Sequence, residues 1–439
     1  MSFDDQPDDC STAKGNRTAA ERANAECLCV TLDQQRLATI LSAEIDHEEA
    51  IQDLLSSRSH LFAQTSVFID PSTYAAMRNA VLAIEAAIAA PDFEVAALNW
   101  APSIAARDFG PKGVFMGYDF HLTPSGPQLI EINTNAGGAF LNALLADAQV
   151  ECCRAARPSL LEGSSRQTFR SRIARMFEQE WRAQGRSDRP GCIAIIDEDP
   201  EQQPLFPEFL AARSLLKRHG FETVISAPEN LTLSAEGLVF EEQKIDFVYN
   251  RLVDFSLDRP ESRTLREAYL EDLVVLSPNP RVHALFADKR NLALLSDRNW
   301  LAGANIETGI AETLLAAIPE TVIVDQGNAD HLWSERRSWF FKPARGHGSK
   351  AAYRGAKLTK RVWSEIVDGV YVAQRFTPPG VRKVRIDSDT FELKMDLRLY
   401  TYDGEILLAA ARLYQGQATN MRTPGGGFAP ILSLGENFD

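Results

Sequence analysis

Hydrophobic positions in the first part of the chain recur at helical spacing. Between Val30 and Ala106 apolar residues return every three or four positions, which places them on one face of a helix. One of these helices is predicted to follow Pro71 and to run through Ala89, with Ser72 or Thr73 as its N-cap. Residues 1 to about 25 are polar and charged, and we expect a mobile tail there.

The pattern changes to strict alternation in the segment 115–133, which predicts a β-hairpin with its turn at 123–126. Side chains two residues apart point to the same face of a strand, so Glu131 and Asn133 share a face and Asp119 lies opposite them. Two carboxylates and one amide are the hard oxygen donors that Mg²⁺ prefers. A solvated hairpin face with ordinary acidic residues is the alternative interpretation.

After about residue 190 short apolar strands alternate with an amphipathic helix. The predicted elements are strands at Ile193–Ile196, Thr223–Ser226 and Asp246–Asn250, and a helix at Phe206–His219. This alternation predicts a small parallel sheet over roughly 190–280. Such sheets carry ligands at the carboxyl ends of their strands, where the polar loops 197–199 and 250–251 lie. Plain solvated loops are an equally good interpretation of both.

The last third of the chain again reads as strands. They are predicted at Trp339–Lys342, Tyr371–Phe376, Phe391–Tyr402 and Ile406–Leu413, the last two joined by a tight turn at Asp403-Gly404. The first of them ends on Lys342 and leads into the glycine-rich loop 344–350, whose backbone amides can approach an anion closely. The loop has Gly-Ser-Lys where a Walker A motif needs Gly-Lys-Ser/Thr, and many surface turns look similar.

A third group of polar residues lies on the long predicted strands. Alternation places Lys394, Asp396, Arg398 and Tyr400 on one face, which is either a wet sheet face or part of a site. Arg412 lies in an apolar run, where a cation needs an anionic partner because burying it alone is costly. A segment with Asn420 and three glycines follows.

Composition limits the classes of function. The 439 residues carry a formal net charge of −14, which argues against nucleic acid as the main partner. Hydrophobic residues make up 45% of the chain, as in ordinary globular proteins. The six cysteines fit no zinc spacing, no apolar signal core begins the chain and no stretch approaches a membrane span, so we expect a cytoplasmic protein with reduced thiols.

Together these segments resemble the ATP-grasp superfamily. Lys342, the glycine loop, Asp396–Arg398 and the segment from Arg412 follow the order of that family, whereas its carboxylate strand and E-x-N motif come early in this chain. The arrangement is similar to the eukaryotic-type glutathione synthetases, and it implies a circularly permuted α/β (α+β) fold with an inserted small parallel-sheet substrate domain. The implied segments are a tail (1–25), helices with the metal hairpin (26–185), the small domain (186–285) and a nucleotide-binding part (286–439).

The resemblance assigns roles to individual residues, with ATP and Mg²⁺ as the cofactors. The implied metal ligands are Asp119, Glu131 and Asn133. The implied nucleotide contacts are Lys289, Lys342, Gly346, His347, Gly348, Ser349, Lys350 and Gln374. The implied catalytic residues are Arg398, Arg412 and Asn420, and the implied substrate contacts are Arg251 and Asn135. His347 is expected to be a lid side chain, and His121 to be structural.

Three departures separate the chain from glutathione synthetases themselves. Gly346 stands where a metal-binding glutamate is usual, residues 135–137 replace substrate-holding serines, and Gly117 replaces an arginine. We therefore expect an ATP-dependent carboxylate–amine ligase that works through an acyl phosphate and whose small-molecule substrates differ from those of the glutathione enzymes. No nucleic acid or membrane partner is expected, and a homodimer is compatible because related ligases are often dimers. A small-molecule phosphotransferase and an inactive nucleotide-binding scaffold remain alternatives.

Overall fold

The computed structural model describes residues 18–150, 159–161, 166–346, 351–416 and 422–434. The predictions for Asn420 and for the loop residues 347–350 lie outside the described residues. Within the described residues, no helix is both long enough and apolar enough to cross a membrane.

Helices and strands alternate along the whole described chain. The helices are α1 Ala19–Glu26, α2 Gln34–Glu44, α3 Glu48–Leu55, α4 Pro71–Ile88, α5 Pro91–Leu98, α6 Ala139–Asp147, α7 Arg166–Ala183, α8 Phe206–Arg218, α9 Arg263–Leu270, α10 Pro280–Val282, α11 Arg290–Leu295, α12 Arg298–Gly303, α13 Thr308–Ala317, α14 Ala329–Ser334 and α15 Lys360–Asp368. The strands are β1 Val67–Ile69, β2 Met116–Thr123, β3 Gly126–Asn133, β4 Ser159–Leu160, β5 Cys192–Ile196, β6 Glu222–Ser226, β7 Leu231–Ser234, β8 Gly237–Phe240, β9 Gln243–Lys244, β10 Phe247–Asn250, β11 Val275–Ser277, β12 Thr321–Ile323, β13 Trp339–Pro343, β14 Tyr353–Arg354, β15 Tyr371–Arg375, β16 Gly380–Ile386, β17 Asp389–Tyr402, β18 Glu405–Tyr414 and β19 Gly427–Ser433.

The largest sheet joins the early hairpin to the late strands. Its main path runs β1-β19-β18-β17-β2-β3, with β16 beside β17 and β4 beside β19. The predicted hairpins β2–β3 and β17–β18 are confirmed, and β2 lies antiparallel to β17. The turn between β17 and β18 has positive φ at both Asp403 and Gly404, as two-residue hairpin turns favour. Residues more than 250 positions apart in sequence therefore become neighbours in one sheet.

Helices cover both faces of this sheet, so its strands are apolar on both sides over much of their length. Leu408 and Ala410 pack in a core with α2, α3, α6, α7 and α8, whereas Ala409, Ala411 and Leu413 pack in a second core with α4, α5 and α13. The charged residues of β17 and β18 continue the first of these faces beyond the edge of the apolar core. The same sheet face thus changes from core to polar cleft along its strands.

Two smaller sheets complete the frame around the cleft. The predicted parallel sheet is confirmed with the order β11-β10-β5-β6, and its central strands β5 and β10 are buried on both faces, as parallel strands usually are. An antiparallel sheet with the order β12-β15-β13-β14 supplies Lys342 from β13 and Gln374 from β15.

Three local predictions are wrong. Helix α1, capped by Thr18 and Glu21, occupies part of the predicted tail, because a capping box and a docking surface stabilise this polar segment. Strand β1 interrupts the predicted helical region, since it pairs in parallel with β19 from the far end of the chain. The N-cap of α4 is Asp70, so Ser72 and Thr73 lie inside the helix after Pro71 at its first position.

Candidate active site

One cavity of about 140 Å³ brings together residues from the early hairpin and from the late strands. Most of its polar lining carries charge. The charged residues that line it are Asp119, Glu131, Lys289, Lys342, Arg354, Arg375, Lys394, Asp396 and Arg412. Ile130, Phe340 and Phe376 form part of an apolar wall. A concave site with apolar walls and a few convergent charged groups is typical of small-molecule binding.

The acidic hairpin is built as the alternation predicts. Asp119 lies directly opposite Glu131, and the neighbouring pair places Asn133 opposite Gly117. The amide nitrogen Nδ2 of Asn133 donates to Oδ2 of Asp119 over 3.0 Å. The three predicted metal ligands therefore converge at one point of the sheet.

Asp119 is tightly held by two arginines. Arg398 approaches it in a bidentate fashion, with Nε 2.6 Å from Oδ1 and Nη2 2.7 Å from Oδ2. Arg412 adds a contact from Nη2 to Oδ2 at 2.7 Å, and its Nε lies 2.7 Å from Oδ1 of Asp396. Burial alone would raise the pKa of Asp119, but the two guanidinium groups outweigh it and hold this pKa below its usual range. The anionic partner expected for Arg412 is therefore supplied by the protein itself.

These contacts decide how well Mg²⁺ fits the predicted ligands. Oδ2 of Asp119 already accepts hydrogen bonds from Asn133 and both arginines, so Asp119 fits an anchor for arginine better than a metal ligand. Glu131 and Asn133 keep the hard-oxygen donors that suit Mg²⁺, and Glu131 reaches the cavity. Among the described residues, no group of three or more His, Cys, Asp or Glu side chains is arranged to hold a metal ion. Two oxygen donors suit a magnesium ion that shares its remaining ligands with water and phosphate.

Two lysines face the hairpin from the opposite side of the cavity. Nζ of Lys289 lies 3.2 Å from Oε1 of Glu131 and 3.4 Å from the backbone oxygen of Gly346. Nζ of Lys342 donates to the backbone oxygen of Ile130 and to Oε1 of Gln374, each over 2.8 Å. Burial lowers the pKa of Lys342 to about 8, and neighbouring Lys289 adds to this effect while Glu131 opposes it. Lys342 is thus a buried cation whose direct partners are neutral.

Gln374 is buried and orients Lys342. While its Oε1 accepts from the lysine, its Nε2 donates to Oγ1 of Thr321 over 3.3 Å. His121 also lines the cavity and bonds through Nδ1 to the backbone oxygen of Thr377 at 2.8 Å, and burial lowers its pKa. The structural role predicted for His121 stays a prediction, since the residue also lines the cavity.

The predicted substrate residues belong to a neighbouring cluster of buried or half-buried polar side chains, which we call the polar chamber and which consists of Asn135, Asp197, Glu208 and Arg251. Nδ2 of Asn135 donates to the backbone oxygen of Arg251 over 2.7 Å, and Nη1 of Arg251 bonds to Oδ1 of Asn135. Arg251 follows β10 and Asp197 follows β5, so both lie at the carboxyl ends of adjacent parallel strands. Burial raises the pKa of Asp197 to about 6, although Arg251 opposes this shift. The polar loops noted in the sequence therefore meet at one sheet edge.

Glu208 is a member of this chamber that sequence reasoning missed. It is only 1% exposed, its Oε1 accepts from the backbone nitrogen of Gly138 over 2.8 Å, and burial raises its pKa. Oε2 of Glu208 and Nε of Arg251 have no hydrogen-bond partner among the described residues. In the sequence Glu208 is only an acid in the first turn of α8, where acids are common because they interact favourably with the helix dipole.

The chamber is linked to the arginine pair by a short glycine segment. The backbone oxygen of Gly137 accepts from the hydroxyl of Tyr400 over 2.8 Å and from Nη1 of Arg398 over 3.4 Å. A Cβ at Gly137 would lie 2.5 Å from Cδ1 of Leu205 and 3.0 Å from Nη2 of Arg251, so a side chain there would crowd Arg251. The cavity that holds Lys289 and Lys342 (the lysine cavity), the arginine pair and the polar chamber therefore lie next to one another.

Comparison with solved structures identifies the fold. A glutathione synthetase-like effector from Globodera pallida matches with a TM-score of 0.53 and 11% identity, over 84% of this chain and 89% of that chain. The chain has an ATP-grasp-type fold.

Other solved structures match this ATP-grasp-type chain less well. A proposed gamma-glutamylcysteine synthetase from Methylobacillus flagellatus matches with a TM-score of 0.46 and 11% identity, over 80% of this chain and 86% of that chain. The D-cycloserine synthetase DcsG matches with a TM-score of 0.28 and 15% identity, over 56% of this chain and 91% of that chain. No family model matches the sequence, and a search of curated proteins finds no match either.

Proposed function

We propose that the protein is an ATP- and Mg²⁺-dependent carboxylate–amine ligase that forms an amide bond through an acyl phosphate. The observation that carries this proposal is the shared cavity, in which Glu131 of the early hairpin faces Lys289 and Lys342. Cations opposite an acidic oxygen pair suit a magnesium-bound triphosphate. The ATP-grasp-type fold supports the same class of reaction by analogy.

The lysines and the acidic strand divide the work of binding the nucleotide. Lys289 and Lys342 contact the phosphates, and Gln374 fixes Lys342 while lining the nucleotide side of the cavity. Glu131 and Asn133 would hold Mg²⁺, which when bound neutralises phosphate charge. The lid role predicted for the glycine loop falls mainly on residues 347–350, outside the described residues, and stays a prediction from the sequence.

The arginine pair lies where charge develops during transfer. A carboxylate oxygen of the first substrate attacks the γ-phosphorus, the bond to the bridging oxygen breaks and ADP leaves. The amine nitrogen of the second substrate then attacks the acyl carbon, loses a proton and expels phosphate. Arg412, which lines the cavity, and Arg398 behind it stabilise the negative charge, and Arg251 with Asn135 holds the carboxylate substrate.

A phosphate-release screen of amino acid and amine pairs with ATP and Mg²⁺ tests the proposal. An amide product identified by mass supports a ligase, whereas a phosphorylated product without an amide supports a phosphotransferase. ATP binding with no ADP formed under any pairing supports an inactive scaffold.

The substitution Glu131→Gln ties the activity to the proposed site. It keeps the side-chain shape but removes the charge that faces Lys289, and we expect ADP formation to fall below detection. Glu392→Gln is the matched control, because Glu392 on β17 is exposed, pairs with Lys383 and does not line the cavity. Undiminished turnover in Glu131→Gln would exclude the proposed site.

A further inference from the structure

A buried hydrogen bond joins the acidic strand to the segment that carries Lys289. Oγ1 of Thr134 and Nδ1 of His283 share this bond, and the two side chains belong to residues that are only 1% and 4% exposed. Thr134 directly follows Asn133, and His283 begins the π-helix His283–Ala287 that ends two residues before Lys289. Single π-turns occur often at functional sites.

His283 is held by contacts on its ring face and at Nδ1, whereas its other ring nitrogen is unpaired among the described residues. Its ring stacks on Phe255 of the small domain, with ring centroids 4.2 Å apart and an interplanar angle of 17°. Burial lowers its pKa to about 3, so the ring is neutral near pH 7. Nε2 has no hydrogen-bond partner among the described residues, and the residue borders a small cavity with Asp288 and Gly346. A buried imidazole with one unpaired nitrogen is a costly way to fill a core.

The two segments touch at a second point, which is the ion pair of the nucleotide site. Nζ of Lys289 lies 3.2 Å from Oε1 of Glu131, three residues before Thr134. The neighbours of Thr134 also make site contacts, since Asn133 donates to Asp119 and Asn135 donates to Arg251. Movement at Thr134 would therefore reach the pair of Lys289 with Glu131 and also the polar chamber.

We propose that His283 is a positioning residue, which acts through Thr134 to fix Lys289 against Glu131. The inference rests on the proposed function for its purpose, because a correctly placed Lys289 is needed to meet a phosphate. The contact itself can be tested without nucleotide. Its loss should free Lys289, whereas Lys342 should stay in place, because Gln374 on β15 holds it independently of its bond to the backbone oxygen of Ile130.

The test measures acetylation of individual lysines by limiting N-hydroxysuccinimide acetate, followed by peptide mass mapping of the full chain. Lys244, with a half-exposed side chain, is the internal reference. Thr134→Val removes the hydroxyl at nearly constant volume, and Thr134→Ser keeps it. We expect Thr134→Val to raise the relative labelling of Lys289 roughly tenfold, as the loss of one buried hydrogen bond allows, and to leave Lys342 unchanged.

A second pair of variants repeats the test from the other partner. His283→Phe keeps the stacking on Phe255 but loses the hydrogen bond, whereas His283→Asn keeps a polar nitrogen near the position of Nδ1. The proposal requires the labelling of Lys289 to rise in His283→Phe as it does in Thr134→Val, and to stay low in His283→Asn as it does in Thr134→Ser. Equal labelling in Thr134→Val and wild type, or a joint rise of Lys289 and Lys342 that marks general loosening, would overturn it. ATP protection of Lys289 in the wild type reports separately on the proposed function, and its absence would count against that function alone.

Discussion

The two lysines and the two arginines that surround the same cleft hold their charges in different ways. Arg398 and Arg412 share Asp119, and Arg412 also meets Asp396, so two cations face two anions at 2.6–2.7 Å. Lys342 instead bonds to a backbone oxygen and to Gln374, and its nearest acid, Glu131, is already paired with Lys289. The two arginines are neutralised by Asp119 and Asp396, whereas the two lysines share the single carboxylate of Glu131 and leave an excess of positive charge.

This difference separates a part of the cleft whose charges also stabilise the fold from a part whose positive charge has no anionic partner of its own. A buried bidentate pair is rigid and costly to break, so the arginine side fixes the junction of β2 with β17 and β18. A buried lysine with neutral partners gains little in the free protein and much when an anion arrives. Substitutions on the arginine side should therefore lower stability as well as activity, whereas those on the lysine side should act mainly on binding.

Asp119→Asn should have the largest effect of the variants considered. It leaves two buried guanidinium groups without their shared carboxylate, which should lower the free energy of unfolding by about 3–5 kcal/mol. Urea unfolding followed by circular dichroism measures this change. Glu392→Gln removes one partner of an exposed pair with Lys383 and should change the same quantity by less than about 0.5 kcal/mol. If Asp119→Asn and Glu392→Gln lowered the free energy of unfolding equally, the arginine pair would have no special role in stability.

Lys342→Met tests the opposite side of the comparison. Removing a buried charge offsets the two lost hydrogen bonds, so we expect the free energy of unfolding to change by no more than about 1 kcal/mol. Nucleotide affinity should fall by about 10–100-fold, because a charge-assisted contact to phosphate disappears. Calorimetric titration of ATP with Mg²⁺ measures the affinity. A variant that unfolds readily but binds ATP normally would reverse the assignment of this lysine.

The contrast also shows which features can be predicted from sequence. Asp119, Glu131 and Asn133 were placed together correctly because strand alternation and one short turn are local signals. The pairing of Arg412 with Asp119 could not be predicted, since it depends on the order of strands separated by 293 positions in the chain. Isolated charges in sequence suggest ligand contacts, and only the sheet order reveals that some of them neutralise one another.

Residues of the polar chamber were predicted unevenly for a related reason. Arg251 was found through a family resemblance, but Glu208 lies on an amphipathic helix where most acids face solvent. The loops after β5 and β10 were noted as polar, and parallel topology brought them together. The permutation, the domain boundaries and the roles of individual residues stay predictions.

Arg251→Lys extends the comparison to the chamber. Lysine keeps the charge but cannot reproduce the planar contact to Asn135, so the KM for the carboxylate substrate should rise about tenfold with little change in the KM for ATP. Arg263→Lys is the matched control, because Arg263 is exposed and its only described ion pair is with Glu267 one helical turn away. Steady-state kinetics with each substrate varied in turn measures both constants. Equal changes in both KM values would place Arg251 in general support of the fold.

The smallest effect expected is a pH dependence set by Lys342, in which stability rises with pH while nucleotide affinity falls. The pKa of Lys342 is lowered to about 8 in the folded protein from an ordinary value near 10.5, so the folded state holds fewer protons than the unfolded state between these values. Stability contributed by this group should therefore rise with pH across that window. Nucleotide affinity should fall as the pH rises, by about fivefold from about pH 7 to about pH 8.7, because the neutral amine no longer attracts phosphate. Lys342→Arg, which stays charged, should lose this decline in affinity, and wild-type affinity that stays level across pH 8 would show that Lys342 does not meet the phosphates.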